Sequence, residues 1–375
     1  MLSPRTPWTA WLLGAVLVLG SLALTLWIEP TDVAEYARYA HEALLSPLLT
    51  HWPVEYPTFS QGVFLLPRLL PLPYYWAFGL LAGCAFLTLM AIRAADSAWN
   101  FRLLIYFGLG ALGVLVGRYD IYAVLAAVLG IEAARRHRFR WAWFWLAAGF
   151  LLKLYPACFF PVLFFWQYRR EGRWPWQELL ITLLAIFLII EVEYRWAGPG
   201  ALAPYQFLRY RPMEIGSFPG DIAAFLSPYH TRIAFAFGAM NIFTPLNHVL
   251  GVVFTVLMAL SFLAIMAAVY ADYLDYTKAT LLSLVALLLT SKIFSVQFVM
   301  WLIPLWCYFP LNAYWVAAAG LSTVAYPFAY LFAIHHPSSW WILIVLYGLR
   351  SVAVLLGTKS ALTRRQYPNR RYFQG

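Results

Sequence analysis

Residues 8–45 read WTAWLLGAVLVLGSLALTLWIEPTDVAEYARYAHEALL, and this stretch decides the fold class. It begins with about twenty apolar residues, the length that a helix needs to cross the hydrocarbon core of a membrane. The apolar run ends at three carboxylates, Glu29, Asp32 and Glu35. The stretch therefore predicts a membrane-spanning helix that brings acidic side chains to one membrane surface.

The composition extends this prediction to the whole chain of 375 residues. Hydrophobic residues make up 63%, charged residues 11%, and the mean hydropathy is +0.70, which excludes a soluble domain with a polar surface. Aromatic residues make up 19%, as expected where rings lie at two lipid interfaces. The net charge of +10 lies in short loops and the tail, so membrane orientation explains it better than nucleic-acid binding. We predict an all-α, polytopic integral membrane protein with the lipid bilayer as a partner.

Apolar windows predict about twelve transmembrane helices in a single domain covering residues 1–375. Basic segments at 135–140 (RRHRFR), 166–173 and 359–371 mark the cytoplasmic side, which places both termini in the cytoplasm. The last residues, YFQG, match the end of a common protease-site tag and carry no weight. The predicted spans are 8–28, 73–93, 102–117, 120–134, 141–153, 157–167, 176–195, 246–270, 277–290, 296–309, 312–334 and 339–358.

Segment 56–72 has two interpretations. As a re-entrant or interfacial helix it keeps RRHRFR in the cytoplasm; as a full span it would invert everything that follows, against the charge rule. We prefer the re-entrant interpretation. Two long loops, 29–72 and 196–245, then lie on the extracytoplasmic side, and a basic cytoplasmic tail covers 359–375. Short central spans should end below the outer surface and enclose a cavity.

The first loop should carry an amphipathic helix on the outer surface. From Thr31 to Leu45 the apolar residues recur every three or four positions, whereas Glu35, Arg38 and Glu42 lie elsewhere on the helix. Asp32 has a purely structural alternative, because it could cap this helix and form a capping box with Glu35.

The chain contains, in this order, the segments TDVAEYARYAHEALL, EYPTFSQGVFLLP, GRYDIYAVLAAVLG, AAGFLLKLYP and SKIFSVQFVMWLIPL. Taken in this order, they resemble the signatures of the GT-C class of membrane glycosyltransferases. The nearest branch contains polyprenol-phosphate-mannose-dependent mannosyltransferases of bacterial envelopes and the catalytic subunit of GPI mannosyltransferase I. The resemblance covers most of the chain and implies residence in a bacterial plasma membrane, with an extracytoplasmic active site.

The resemblance implies roles for particular residues. Asp32 matches the general base of the family, and Tyr36 matches the tyrosine beside it. Tyr56 belongs to a tyrosine-proline-proline element in which Thr58 replaces the second proline. Gln297 falls where some relatives carry a histidine, so a histidine-dependent mechanism does not transfer.

Two further motifs place cations at the outer level. Arg118 replaces the glutamine of a Gly-Gln turn that begins at Gly117, and Lys153 begins the Lys-x-x-Pro motif that ends at Pro156. Each cation has an alternative role: Arg118 could pair with Asp120, and Lys153 could extend to the membrane interface.

The implied reaction moves a sugar, expected to be mannose, from a polyprenyl-phosphate carrier to a lipid-linked or glycan acceptor with inversion. A carboxylate must take the acceptor proton, and cations must hold the departing phosphate. Asp32 is the candidate base, with Glu29, Glu35 and Glu55 as runners-up. No cofactor and no obligatory metal are expected, since the first loop lacks an Asp-x-Asp pair. The candidate substrate-binding residues are Glu35, Tyr36, Tyr56, Arg118, Lys153, Arg209, Arg211, Lys292 and Gln297.

A transporter, or a lipid-glycan flippase or polymerase, is the alternative class. A secondary transporter predicts internal repeats and paired broken helices, but no motif of this chain occurs twice. Rossmann and P-loop fingerprints are absent as well, which favours a lipid-carried donor over a nucleotide sugar.

Overall fold

The computed structural model describes residues 8–28, 31–45, 55–57 and 59–363. The runner-up base Glu29, Thr58 and the part of the basic tail beyond residue 363 lie outside these residues. Within them, helices dominate and one small sheet is present.

Seventeen α-helices occur in the described residues. The first nine are α1 Trp8–Ile28, α2 Thr31–Leu45, α3 Phe59–Leu65, α4 Tyr74–Ile92, α5 Ser97–Gly110, α6 Asp120–Arg135, α7 Phe139–Leu152, α8 Phe160–Glu171 and α9 Trp176–Ala197. The others are α10 Ala203–Tyr210, α11 Phe218–Leu226, α12 Asn247–Tyr270, α13 Tyr276–Thr290, α14 Val299–Trp306, α15 Ala313–Thr323, α16 Tyr330–His335 and α17 Trp340–Thr363.

Five helical segments are long and apolar enough to cross a membrane, as expected of an all-α integral membrane protein. They are Trp8–Ile28, Tyr74–Ile92, Asn247–Tyr270, Ala313–His335 and Pro337–Thr363. The third of these is mostly exposed along its length, which suits a helix surrounded by lipid. Each of the other seven predicted spans contains helix as well, but those helices do not meet both criteria, so the number twelve stays a prediction.

The predicted span 102–117 is wrong at both ends. Helix α5 starts at Ser97, because the Asp96 side chain accepts a hydrogen bond from the Trp99 amide at 2.9 Å and caps the first turn. It ends at Gly110, and residues 111–117 form turns in a segment that contains two further glycines, Gly113 and Gly117. These turns set the position of Arg118.

Segment 59–69 consists of the seven-residue helix α3 followed by a four-residue 3-10 helix, Leu66–Leu69. A crossing helix needs about twenty residues. This segment is therefore too short to span as a helix, which supports the re-entrant interpretation. Phe64 of α3 is fully buried beside Tyr36 of α2 and Phe78 of α4.

The predicted loop 196–245 contains a three-stranded antiparallel sheet that the sequence analysis did not anticipate. Its strands are β1 Met213–Glu214, β2 Arg232–Ala236 and β3 Ala239–Phe243, in the order β1-β3-β2. Phe237 and Gly238 both have positive φ and join β2 to β3 in the tight turn typical of two-residue hairpins. The hairpin reaches the candidate site described next.

Candidate active site

Asp32 and Arg118 form an ion pair that joins the first turn of α2 to the segment before α6. Their side chains expose 22% and 15% of their surface, so the pair is partly buried but accessible. A capping box would need Asp32 ahead of the first helical residue, but α2 begins at Thr31, and the Glu35 carboxylate pairs with Arg38 at 2.5 Å. Asp32 therefore presents a partly accessible carboxylate in the first turn of α2.

A second pair lies two residues further along the chain. Lys153 Nζ donates to Asp120 Oδ1 at 2.7 Å, and the Trp301 indole donates to the same oxygen at 2.8 Å. Asp120 is 1% exposed. The two alternatives drawn from sequence are therefore wrong: Arg118 pairs with Asp32 rather than Asp120, and Lys153 turns inward rather than toward the lipid interface.

Aromatic rings surround Lys153. Its Nζ lies 4.6 Å from the centroid of Tyr119, 5.3 Å from that of Phe298 and 5.5 Å from that of Trp301. The ring of Trp301 is sandwiched between Phe298 at 3.8 Å and Tyr155 at 4.0 Å. Cation–π contacts and the buried carboxylate together compensate the cost of burying the ammonium group.

The predicted site tyrosines, Tyr36 and Tyr56, belong to an aromatic cluster beside these two ion pairs. Tyr36 is buried and stacks on Phe64 at 4.5 Å, with Tyr56 at 5.7 Å and Tyr119 at 5.8 Å in edge-to-face geometry. Tyr56 in turn meets Tyr119 at 5.1 Å. This cluster holds the first turn of α2 against the start of α6, so the position of Asp32 is set by packing.

Glu55 connects the Asp32 pair to the 196–245 region. Burial raises the pKa of Glu55 above its ordinary value; the nearby Arg211 acts in the opposite direction, and Asp32 adds to the increase. A Cβ atom added to Gly238 would lie 3.3 Å from Glu55 Oε1. The β2–β3 turn thus lies directly against Glu55, beside the candidate base.

A third group of charges lies on β1 and the 291–297 segment. Arg211 pairs with the buried Glu214 at 3.4 Å, and Glu214 also accepts a hydrogen bond from the Ser295 hydroxyl. The Glu214 amide donates to the Lys292 carbonyl at 2.9 Å. Burial lowers the pKa of Lys292, and the neighbouring Arg211 lowers it further. Arg211 and Lys292 therefore form one positively charged group, and its Arg211 also acts on Glu55.

Several buried polar atoms of the site have no hydrogen-bond partner within the described residues. They are the Tyr119 hydroxyl, Asp120 Oδ2, Arg211 Nε and Glu214 Oε2. Buried polar groups are nearly always satisfied by protein, water or ligand. One such donor and one acceptor in each of the two charged groups, at Tyr119–Asp120 and at Arg211–Glu214, are consistent with a site for a polar ligand.

Three predicted residues lie at the edge of this arrangement. Glu35 pairs with Arg38 rather than with a cation of the site, and 49% of its side chain is accessible. Arg209 is exposed and offers its carbonyl to Lys292 Nζ at 3.1 Å. Gln297 is half-buried in the 3-10 helix Val296–Phe298. It directly precedes Phe298, one of the aromatic rings around Lys153.

Asp120, Trp301 and Glu214 are parts of the site that were not predicted from the sequence. The sequence does point to Asp120, because an ionisable residue at the start of an apolar helix needs a partner. It points less strongly to Trp301, whose indole N–H also needs an acceptor when it is buried. Glu214 lies in the long loop, where only the three-dimensional pairing of β1 reveals its role.

Within the described residues, no group of three or more His, Cys, Asp or Glu side chains is arranged to hold a metal ion. No family model matches the chain, and neither a curated protein nor a solved structure matches it significantly. The functional interpretation therefore depends on the geometry of the site and on the order of the sequence motifs.

Proposed function

We propose that the chain is an inverting glycosyltransferase of the GT-C type. It would transfer a sugar, expected to be mannose, from a polyprenyl-phosphate carrier to a lipid-linked or glycan acceptor, with Asp32 as the general base. One observation carries this proposal: an accessible carboxylate, Asp32, pairs with Arg118 and interacts electrostatically with Lys153, while Glu55 links it to Arg211 and its neighbour Lys292.

The environment of Asp32 supports the role of base. A general base must be ionised and within reach of the acceptor hydroxyl. The guanidinium of Arg118 compensates its negative charge on one side, while the accessible fraction of the carboxylate leaves room for an acceptor on the other. Packing of Tyr36 in the aromatic cluster keeps the first turn of α2 in place, so the Asp32 carboxylate need not reorganise during attack.

The cations are suited to hold the leaving phosphate. Arg118 and Lys153 each have a carboxylate partner, whereas the positive group of Arg211 and Lys292 includes one carboxylate, Glu214. A phosphate that enters between them gains charge-assisted hydrogen bonds, and a guanidinium can contact two of its oxygens. Developing negative charge on the leaving phosphate would then be stabilised by groups that already point into the site.

We infer that the site faces the extracytoplasmic side of a bacterial plasma membrane. The basic segments 135–140 and 166–173 lie at the opposite ends of α6 and α8 from Asp120 and the Lys153 segment. With these segments in the cytoplasm, twelve spans place both termini there as well, and α2 lies as an amphipathic helix on the outer surface. In that arrangement the β2–β3 hairpin covers the outer side of the site.

The proposal is tested by Asp32→Asn in the purified full-length protein, with polyprenyl-phosphate mannose as donor and acceptors extracted from bacterial membranes. Asparagine preserves shape and also caps helices, but it cannot accept the proton. Transfer should fall by at least about a hundredfold while donor binding and thermal stability persist.

Glu42→Gln is the matched control. Glu42 lies on the same helix, pairs with Arg38 at 2.8 Å and is not part of the site, so this change removes the same charge without touching Asp32. Its transfer rate should stay within about twofold of the wild type. Unchanged transfer in Asp32→Asn would exclude Asp32 as base, and absence of any sugar transfer by the wild type would reject the enzyme class.

A further inference from the structure

The end of α6 opposite Asp120 borders a separate cavity. The 16 residues of α6 span about 24 Å, so this cavity is remote from the candidate active site. It has a volume of about 210 Å³. Its walls include Ile92, Glu132, Arg136, Arg138, Trp141 and Trp145.

Positive charge in this cavity exceeds what its carboxylate can neutralise. Glu132 is buried, and its Oε1 accepts hydrogen bonds from Arg93 at 2.9 Å and from the Tyr308 hydroxyl at 2.6 Å. Arg136 Nη2 lies 3.7 Å from the other Glu132 oxygen, and 57% of the Arg136 side chain is exposed. Arg138 is exposed and has no ion-pair partner among the described residues. Two guanidinium groups at the cavity therefore retain donors for an external anion.

The remaining walls place the cavity at a membrane boundary. Ile92 is the last residue of α4, one of the helices long and apolar enough to cross a membrane. Trp141 is 58% exposed, and Trp145 is half-buried in the same wall. Indole rings prefer the level of lipid headgroups, where one edge is apolar and the other is hydrated. These walls therefore suit a cavity at the level of the lipid headgroups.

We propose that this cavity binds the phosphate of an anionic phospholipid, with Arg136 and Arg138 as its ligands. Guanidinium groups match phosphate oxygens in a bidentate geometry. The volume is below the roughly 300 Å³ at which sites for whole small molecules begin, so it suits a phosphate with its nearest headgroup atoms. The acyl chains would lie outside, along Ile92 and Trp141.

The charge pattern assigns this end of α6 to the cytoplasmic face, where anionic lipids attract juxtamembrane arginines. The lipid site is independent of sugar transfer, because it shares no residue with the candidate active site. Its occupancy would fix the depth and tilt at which α4 and α7 meet the membrane surface.

Native mass spectrometry of the full-length protein provides the test, with phosphatidylglycerol titrated against phosphatidylcholine. The cavity variant is Arg136→Gln with Arg138→Gln. The matched variant is Arg140→Gln with Arg170→Gln, which removes two exposed arginines of the same basic side that do not line the cavity. The cavity variant should bind phosphatidylglycerol about thirtyfold more weakly than wild type, and the matched variant within about threefold of it.

Two outcomes would overturn the proposal. Equal losses in the two double variants would show attraction to net charge rather than a site. Binding of inorganic phosphate to the detergent-solubilised protein, with the same arginine dependence and no preference for the lipid, would assign the cavity to a soluble anion. If the double variant does not fold, Arg138→Gln alone decides the question, because Arg138 has no internal ion pair to lose.

Discussion

The two carboxylate–cation pairs of the candidate site lie side by side but differ in solvent access. Asp32 exposes 22% of its side chain and pairs with Arg118, whereas Asp120 exposes 1% and pairs with Lys153. Water can reach the first carboxylate, whereas the second is enclosed together with the aromatic rings around Lys153. The difference teaches that two carboxylates at the start of a helix, each paired with a cation, can differ in whether they remain available to an external group.

The largest effect that would test this contrast is on stability. Asp120→Ala leaves the Lys153 ammonium buried without its carboxylate, and breaking such a pair costs about 3–5 kcal/mol. Asp32→Ala should cost less, because the Asp32 carboxylate is itself 22% exposed and its removal lets water reach Arg118. Unfolding in detergent, followed by tryptophan fluorescence, measures both. Equal losses would contradict the division into a dry and an accessible pair.

A double substitution sharpens the same point. Asp120→Asn with Lys153→Met removes both buried charges and retains similar volumes, so it should recover at least half of the stability lost in Asp120→Asn alone. Sugar transfer should nevertheless stay low, because the phosphate loses one cation. Recovery of transfer together with stability would show that Lys153 serves the fold alone.

Trp301→Phe tests the hydrogen bond that holds Asp120. The indole N–H donates to a charged oxygen, a bond worth about 1.5–3 kcal/mol. Trp306→Phe on the same helix is the control, because Trp306 is equally buried but its indole nitrogen has no partner in the described part of the chain. The difference between the two free energies of unfolding measures the bond. A difference near zero would mean that Asp120 is held by Lys153 alone.

The smallest expected effect concerns Glu55. Because burial raises its folded-state pKa above the ordinary value of 4.5, the protonated carboxyl favours the folded state. Its contribution is fully present below about pH 4.5 and is lost as pH rises through the folded-state pKa. The melting temperature of wild type minus that of Glu55→Gln should therefore decrease between about pH 4 and pH 8. A difference that increases with pH would show that Arg211 dominates over burial.

The positions of the apolar helices could be predicted from the sequence, because hydrophobic run length reports directly on membrane burial. The long helices α1, α4 and α12 follow the predicted windows to within one residue, whereas α17 continues five residues past its predicted end. Segment 102–117 was misplaced, because hydropathy does not register a cap such as Asp96 or a series of glycine turns.

The partners of the charged residues could not be predicted in the same way. Lys153 and Asp120 are separated by 33 positions, and Trp301 and Asp120 by 181, so only the packing of α6, α7 and α14 brings them together. The sequence named Asp32, Arg118 and Lys153 as site residues, but it paired none of them correctly. Local patterns identify groups that need a partner, whereas the fold chooses the partner.

The anchoring of β1 has a consequence for how an acceptor enters. The Glu214 amide donates a hydrogen bond to the Lys292 carbonyl, and the Glu214 carboxylate accepts one from the Ser295 hydroxyl. These two bonds attach the sheet to the segment before α14. The turn of the hairpin, at Gly238, instead lies against Glu55. A motion of the sheet that keeps the bonds of β1 would therefore part the hairpin turn from Glu55, and under the proposed function this opening would admit the acceptor beside Asp32 rather than beside Lys292.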